Sequence, residues 1–371
     1  MSDADPNDDF VSLRALGWDE GRQAEAEALG GAEFVFGRVT VENREQYLIL
    51  TAAGERTAEV SGHFLFRAEA PADFPKVGDW IAAVDVPEEG KAIIHAVLPR
   101  RAVLSRNAAG RRTEEQILAA NIGTIFLVQG LDYDFNLRRL ERQTVSARAS
   151  GAETILVLNK ADLVSDSADF LRRIRDVLPD LEVLTVSALS GSGIDTLRRR
   201  LRPGLTHVLL GSSGVGKSTL INALIGRDAL TTAPVREDDS KGRHTTARRE
   251  LIVLESGALL IDTPGVREFQ LWESEDGIDA VFGDIASLAS GCRFGDCTHT
   301  CETGCAVLEA REAGALADDR YQSWLKLRKE LAYLETKRRE KPGSDKKEWS
   351  KEIQGALKTF RKIDPKARFR R

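Results

Sequence analysis

The run Gly211-Ser212-Ser213-Gly214-Val215-Gly216-Lys217-Ser218 is spaced to hold phosphate oxygens. Its glycines let successive backbone N–H groups converge on an anion, and a helix opening at Lys217 adds its dipole. Lys217 then reaches the outer phosphates and Ser218 ligates Mg2+, with Thr219 completing the loop. Asn159-Lys160-Ala161-Asp162 ends the apolar run Thr154 to Leu158. A carboxylate at Asp162 accepts two hydrogen bonds from the ring N–H and exocyclic amine of guanine. Adenine lacks that donor pair and would leave the carboxylate unpaired. Ser187 and Ala188 follow the next strand-like run, where a backbone amide supports the base. Asp262-Thr263-Pro264-Gly265 closes the run Ala258 to Ile261, so that Asp262 holds Mg2+ through water and the Gly265 N–H senses a γ-phosphate. Between the phosphate loop and that motif lies Gly242-Arg243-His244-Thr245-Thr246, in which Thr245, preferred over Thr246, caps the magnesium.

Each short motif alone is also an ordinary turn. Together, each at a strand end and properly interleaved, they describe a GTP site with Mg2+. Their order is rotated: Asn159 to Asp162 and Ser187-Ala188 precede the phosphate loop instead of following Asp262 to Gly265. The same sheet can be built from a rotated sequence because domain termini commonly lie close together. Val266 stands where a water-positioning glutamine is usual, so His244, Lys217 and Thr245 are the catalytic candidates, with slow intrinsic turnover and strong stimulation by a partner expected. A solvated loop histidine is the plain alternative for His244. The chain leaves the nucleotide motifs through Val266 to Trp272, which predicts that nucleotide state is passed on there as an ordering transition.

All four cysteines fall between Cys292 and Cys305. Cys292, Cys297, His299 and Cys305 supply three thiolates and an imidazole, the donor set of a closed, structural Zn2+ site. Cys301 is a further candidate inside the same stretch, so spacing alone leaves the fourth ligand open.

The elements that position these groups follow from periodicity. From Glu33 to Leu104 five short strand-like runs suggest a small closed barrel of the oligonucleotide-binding (OB) type. Between Asn121 and Asp262 continuous apolar runs alternate with helical segments, the pattern of a doubly wound α/β domain with a buried parallel sheet. A helical stretch from Asp318 to Lys341 follows the cysteines. The fold expected is therefore multidomain: an extension over residues 1–32, loosely attached, with an amphipathic piece near Ala24 to Leu29; a barrel over 33–105; a permuted nucleotide domain over 106–272; and a zinc-binding helical domain with a basic tail over 273–371.

Composition fits a globular chain of 371 residues, 42% apolar and 30% charged. Net charge is -5, yet residues 326–371 hold 17 Lys/Arg against 7 Asp/Glu, an asymmetry suited to a nucleic-acid partner or to a solvated helix face. No run approaches the length of a membrane span and the acidic N-terminus has no leader-like apolar core, so a cytoplasmic monomer without membrane contact is expected.

The permuted motif order, the barrel before it and Cys292-x4-Cys297-x-His299-x5-Cys305 after it resemble the bacterial ribosome small-subunit-dependent GTPase A family over residues 33–340. The resemblance implies a GTP hydrolase that acts late in assembly of the small ribosomal subunit (30S), binds its rRNA and is stimulated by it. It also implies guanine contacts at Asn159, Lys160 and Asp162, phosphate contacts from Gly211 to Thr219, Mg2+ held near Ser218, Thr245 and Asp262, and one zinc on the four ligands above. The acidic residues before Glu33 and the presence of Cys301 depart from the family pattern. An RNA-binding scaffold with GTP as a structural ligand is the alternative; a permuted GTPase serving the large subunit or a membrane fits the flanking domains less well.

Overall fold

The computed structural model describes residues 13–43, 46–107, 115–225, 249–262 and 275–340. Val35–Glu42 (β1), Tyr47–Thr51 (β2), Gly54–Val60 (β3), Trp80–Val86 (β4) and Lys91–Val97 (β5) form the first sheet, with the short helix Gly62–Arg67 (α2) between β3 and β4. Helix α1, Glu20–Ala28, precedes them. β1 pairs with β2 and β4, β2 with β3, β3 in parallel with β5, and β5 with β4, so the five strands close on themselves. Inward-facing Val39, Tyr47, Ile49, Ala58, Ile81, Ala83, Ala92 and Ile94 fill the interior. This is the barrel that the sequence predicts.

A hairpin, Val103–Asn107 (β6) and Glu115–Ala120 (β7), leads into the nucleotide domain. That domain comprises Thr124–Gly130 (β8), Leu137–Ala149 (α3), Glu153–Asn159 (β9), Ala168–Val177 (α4), Glu182–Thr185 (β10), Ile194–Arg200 (α5), Thr206–Gly211 (β11), Lys217–Ile225 (α6), Glu250–Val253 (β12) and Leu259–Asp262 (β13). Its strand order is β10-β9-β8-β11-β13-β12, parallel except for the antiparallel β12. Every residue of β8 and β11 is buried, which is why both read as unbroken apolar runs. β12 continues into the barrel by pairing with β1, with Val41 opposite Glu250, and the two sheets become one of eleven strands.

The N-terminal segment is not loosely attached from residue 13 onward. Leu13, Leu16, Trp18 and Ala26 are buried, and the Trp18 ring meets Trp80 edge-on with centroids 4.9 Å apart. Two buried arginines lock it in place. Arg22 donates to Pro99 O at 2.6 Å and to Asn121 Oδ1 at 2.7 Å. Arg38 donates to Gly78 O at 2.9 Å, to Thr206 Oγ1 at 2.7 Å and to Leu16 O, and its guanidinium lies over the Trp80 ring. One side chain thus ties the N-terminal segment, the barrel and the first residue of β11. Burial pushes the Arg38 guanidinium down to about 9.

His207, on the same strand, is buried, stacks on Phe126 and accepts a hydrogen bond from Arg202 N at 3.1 Å. Burial lowers its pKa to about 4, so the folded ring stays neutral while an unfolded histidine titrates near 6.5. Between those values the unfolded chain binds more protons, and stability falls with falling pH at up to about 1.4 kcal/mol per unit. Thermal melts of the His207→Gln variant should show a flatter pH dependence from 4.5 to 6.5 than the parent; equal slopes would assign the acid loss elsewhere.

The C-terminal region is helical: Glu275–Val281 (α7), Gly283–Ala289 (α8), Ala306–Glu312 (α9) and Asp318–Glu340 (α10). It is joined to α3 through Glu141, which is fully buried. Glu141 accepts from Arg320 Nη1 at 2.8 Å, Arg138 Nη1 at 2.8 Å and Ser323 Oγ at 3.1 Å, and Arg320 also grips Asp284 through two bonds of 2.7 Å. A buried carboxylate survives only when its lone pairs are satisfied in this way. No described helix is long and apolar enough to cross a membrane.

Candidate nucleotide site and metal centre

β8, β9, β10 and β11 are neighbours, so the loops that follow them gather at one edge of the sheet, where ligands of open α/β folds bind. The phosphate loop leaves β11 and ends in α6. Val215 is buried beneath it, and Gly216 adopts φ +92°, a left-handed backbone that favours glycine. A Cβ at Gly216 would also fall 2.4 Å from Asn159 Nδ2. Lys217 Nζ donates to Gly211 O and Ser212 O at 2.7 Å each, which sets the ammonium across the loop mouth. Ser218 is exposed on the first turn of α6.

Asn159 is buried and acts as a clamp rather than a surface turn residue. Its Nδ2 donates to Val215 O at 2.8 Å and its Oδ1 accepts from Ala188 N at 3.0 Å, joining the phosphate loop to the loop after β10. Lys160 follows with φ +63°, and its Nζ pairs with Asp132 Oδ2 at 2.7 Å. The carboxylate of Asp162 accepts from the buried Ser187 Oγ while the residue itself remains exposed. Ser187 Oγ in turn accepts from Ser190 N at 3.0 Å, which fixes the hydroxyl toward Asp162. The structure therefore brings Asn159, Lys160, Asp162, Ser187, Ala188 and Gly211 to Lys217 into one edge.

Asp262 ends β13 beside this edge. Burial pushes its carboxyl up, the charge of Lys217 draws it back down, and Glu250 adds to the rise. Asp262 offers a carboxylate and Ser218 a hydroxyl, the hard oxygen donors that Mg2+ takes, and a cation would offset the cost of an ionised Asp262. His244, Thr245, Thr246, Gly265 and Val266, together with Val266 to Trp272 and the basic tail beyond residue 340, lie outside the described residues.

The metal-ligating atoms of Cys292, Cys297, His299 and Cys305 all lie within 4.8 Å of one another. His299 Nδ1 stands 3.5 Å from the sulfurs of both Cys292 and Cys305. Cys301 is exposed and apart from them, so geometry selects the four residues preferred from the sequence. Backbone N–H groups of Ala306 and Val307 point at the Cys292 sulfur, and that of His299 at Cys297. At Cys292 these amide donors outweigh burial and favour the thiolate, the form a metal takes, whereas burial and the neighbouring thiols push the Cys297 thiol up to about 11 without a metal. Around the cluster, Tyr321 donates to His299 O at 2.7 Å and the His299 ring lies 5.3 Å from Trp324. These four side chains can hold one zinc; four ligands close a tetrahedron and leave no position for catalysis.

Sequence reading missed Asp132, Arg22, Arg38 and the Glu141–Arg320 pair. None belongs to a motif, and charged residues in strands and helices are ordinarily assigned to solvent. The only signal for Asp132 is its place one loop from Asn159 once β8 and β9 are paired.

A family profile described as RsgA GTPase matches residues 97–272. The small ribosomal subunit biogenesis GTPase RsgA 2 of Lactiplantibacillus plantarum is 47% identical over 299 residues, covering 81% of this chain and 84% of its own length. The protein of the same description (RsgA) from Opitutus terrae is 44% identical over 357 residues, 93% of this chain and 97% of its own. Among solved structures, YjeQ from Thermotoga maritima superposes with a TM-score of 0.58 at 26% identity, covering 81% of this chain and 99% of that one. YloQ, described as a circularly permuted GTPase, gives a TM-score of 0.55 at 23% identity over 81% of this chain and 95% of its own, a likeness of fold.

Proposed function

The chain belongs to the RsgA GTPase family, and from that premise we propose that it hydrolyses GTP as a late assembly factor of the small ribosomal subunit, binding rRNA and being stimulated by the subunit. The observation that carries the nucleotide reading is the Asn159 clamp, which places an exposed Asp162 carboxylate and the Ala188 amide on the same edge as the phosphate loop. Asp162 reads the guanine ring N–H and amine, the Ser187–Ala188 loop held by Asn159 backs the base, and Gly211 to Thr219 hold the phosphates. Ser218, Thr245 and Asp262 would hold Mg2+, which neutralises charge on the β- and γ-phosphates when bound. Lys217 leaves the loop carbonyls for the γ-phosphate oxygens, and His244 is the in-chain candidate for orienting water.

The relatives' printed description supplies the small-subunit assignment, and the barrel together with the surplus of Lys/Arg in residues 326–371 supports contact with rRNA. GTP turnover measured with purified small subunits, large subunits and neither tests the proposal. Small subunits alone should accelerate hydrolysis, on the order of 100-fold. Identical rates in all three mixtures would leave a scaffold that keeps GTP as a structural ligand.

A further inference from the structure

We propose that Asp132, which belongs to none of the nucleotide motifs, is a positioning residue of the guanine site: it holds the Lys160 ammonium so that the lysine's hydrocarbon stem, not its charge, packs on the purine ring. This rests on the guanine-nucleotide reading above. Asp132 lies in the loop after β8, and that loop is pinned to the strand end beside it by Leu131 N donating to Asn159 O at 2.8 Å. Its Oδ2 meets Lys160 Nζ at 2.7 Å and its Oδ1 accepts from Asp134 N at 3.0 Å. The carboxylate is largely buried, at 10% side-chain exposure against 30% for the lysine.

Three further features point the same way. Lys160 sits between the clamp residue Asn159 and the turn Ala161–Leu163 that carries Asp162, and its backbone is left-handed, so its direction is set by the chain and not by rotamer choice alone. An ammonium committed to a carboxylate is withdrawn from the phosphate end, and what the side chain then offers a ligand is four methylenes. Gly130 is opposite Asn159 in the β8–β9 ladder, and a Cβ there would fall 2.9 Å from the Asp132 carboxylate. Any larger residue there would push the carboxylate out of its present position. Burial alone would raise the Asp132 pKa; the bonds from Lys160 and Asp134 N outweigh it and hold the carboxyl below its ordinary value, ionised and able to pair.

The test is dissociation of fluorescent GDP and of a non-hydrolysable GTP analogue from the full chain. Asp132→Asn should speed release about tenfold for both alike, because the purine end is common to them, and should raise KM while kcat stays within about twofold. The ratio of GDP to IDP affinity, which reports the bond between Asp162 and the exocyclic amine, should not move. Asp132→Glu should restore most of the affinity, Asp134→Asn in the same loop should behave as the parent, and Gly130→Ala, which displaces the carboxylate without removing it, should mimic Asp132→Asn. Unchanged release in both Asp132→Asn and Gly130→Ala, or a collapse of the GDP/IDP ratio with affinity, would overturn the assignment. Failure of the unaltered protein to bind GDP would instead sink the guanine reading, and this inference with it.

Discussion

Asp162→Asn should lower affinity for GDP and GTP on the order of 1,000-fold and raise it for xanthine nucleotides. In the proposed guanine site the carboxylate accepts from two donors of the base. An amide in its place turns one acceptor into a donor that opposes the exocyclic amine but suits the carbonyl of xanthine. A site built to satisfy specific hydrogen bonds rejects the wrong partner strongly because buried groups are left unpaired. The folded protein should scarcely notice the change: Asp162 is exposed, and an asparagine oxygen still accepts from Ser187 Oγ. Competition between GDP and XDP, alongside a melt of the nucleotide-free protein, separates the two effects. Retention of GDP affinity in Asp162→Asn would remove this residue from base recognition.

The second large effect is expected at the metal cluster. Cys305 is buried within 4.8 Å of the other three ligands, in a region whose short helices α7, α8 and α9 share one core with α10 and α3. Helices of this length are not stable alone, and a structural zinc is worth several kcal/mol or more, roughly 10 in isolated zinc-finger peptides. Cys305→Ser, or dialysis of the parent against a strong chelator, should take bound zinc from one per chain to none. A fall in melting temperature on the order of 10 °C should accompany it. Because the His299 ring lies against Trp324, tryptophan fluorescence should change in step with metal loss. Lowering pH protonates the thiolates and should release the metal in the same way. Zinc-free protein with unchanged melting and emission would show that the cluster does not hold this region together.

Much of this was legible in the sequence because it rests on period and on sharply constrained loops. β8, β9 and β11 stand out as apolar runs since both faces of the sheet are covered. The phosphate loop needs glycines at fixed offsets, and four metal donors within fourteen residues leave few other readings. What stayed hidden depends on partners far apart in sequence. Arg38 and Thr206 are 168 residues apart, and Glu141 and Arg320 are 179 apart. No local pattern distinguishes such arginines from solvated ones, so the N-terminal segment looked detached when Arg22 and Trp18 in fact bind it to the body. β12 is hard to see in the sequence because Glu250–Val253 is four residues long and half exposed, and the β6–β7 pair because its two strands mix polar and apolar residues.

The single rung between Val41 and Glu250 has a mechanical meaning. β12 follows in sequence the stretch holding Thr245 and pairs with β13, whose last residue is Asp262, while Glu250 also joins it to the barrel wall. A load on the barrel wall therefore has a path through paired backbone, from β1 to β12 to β13, that ends at the strand carrying Asp262.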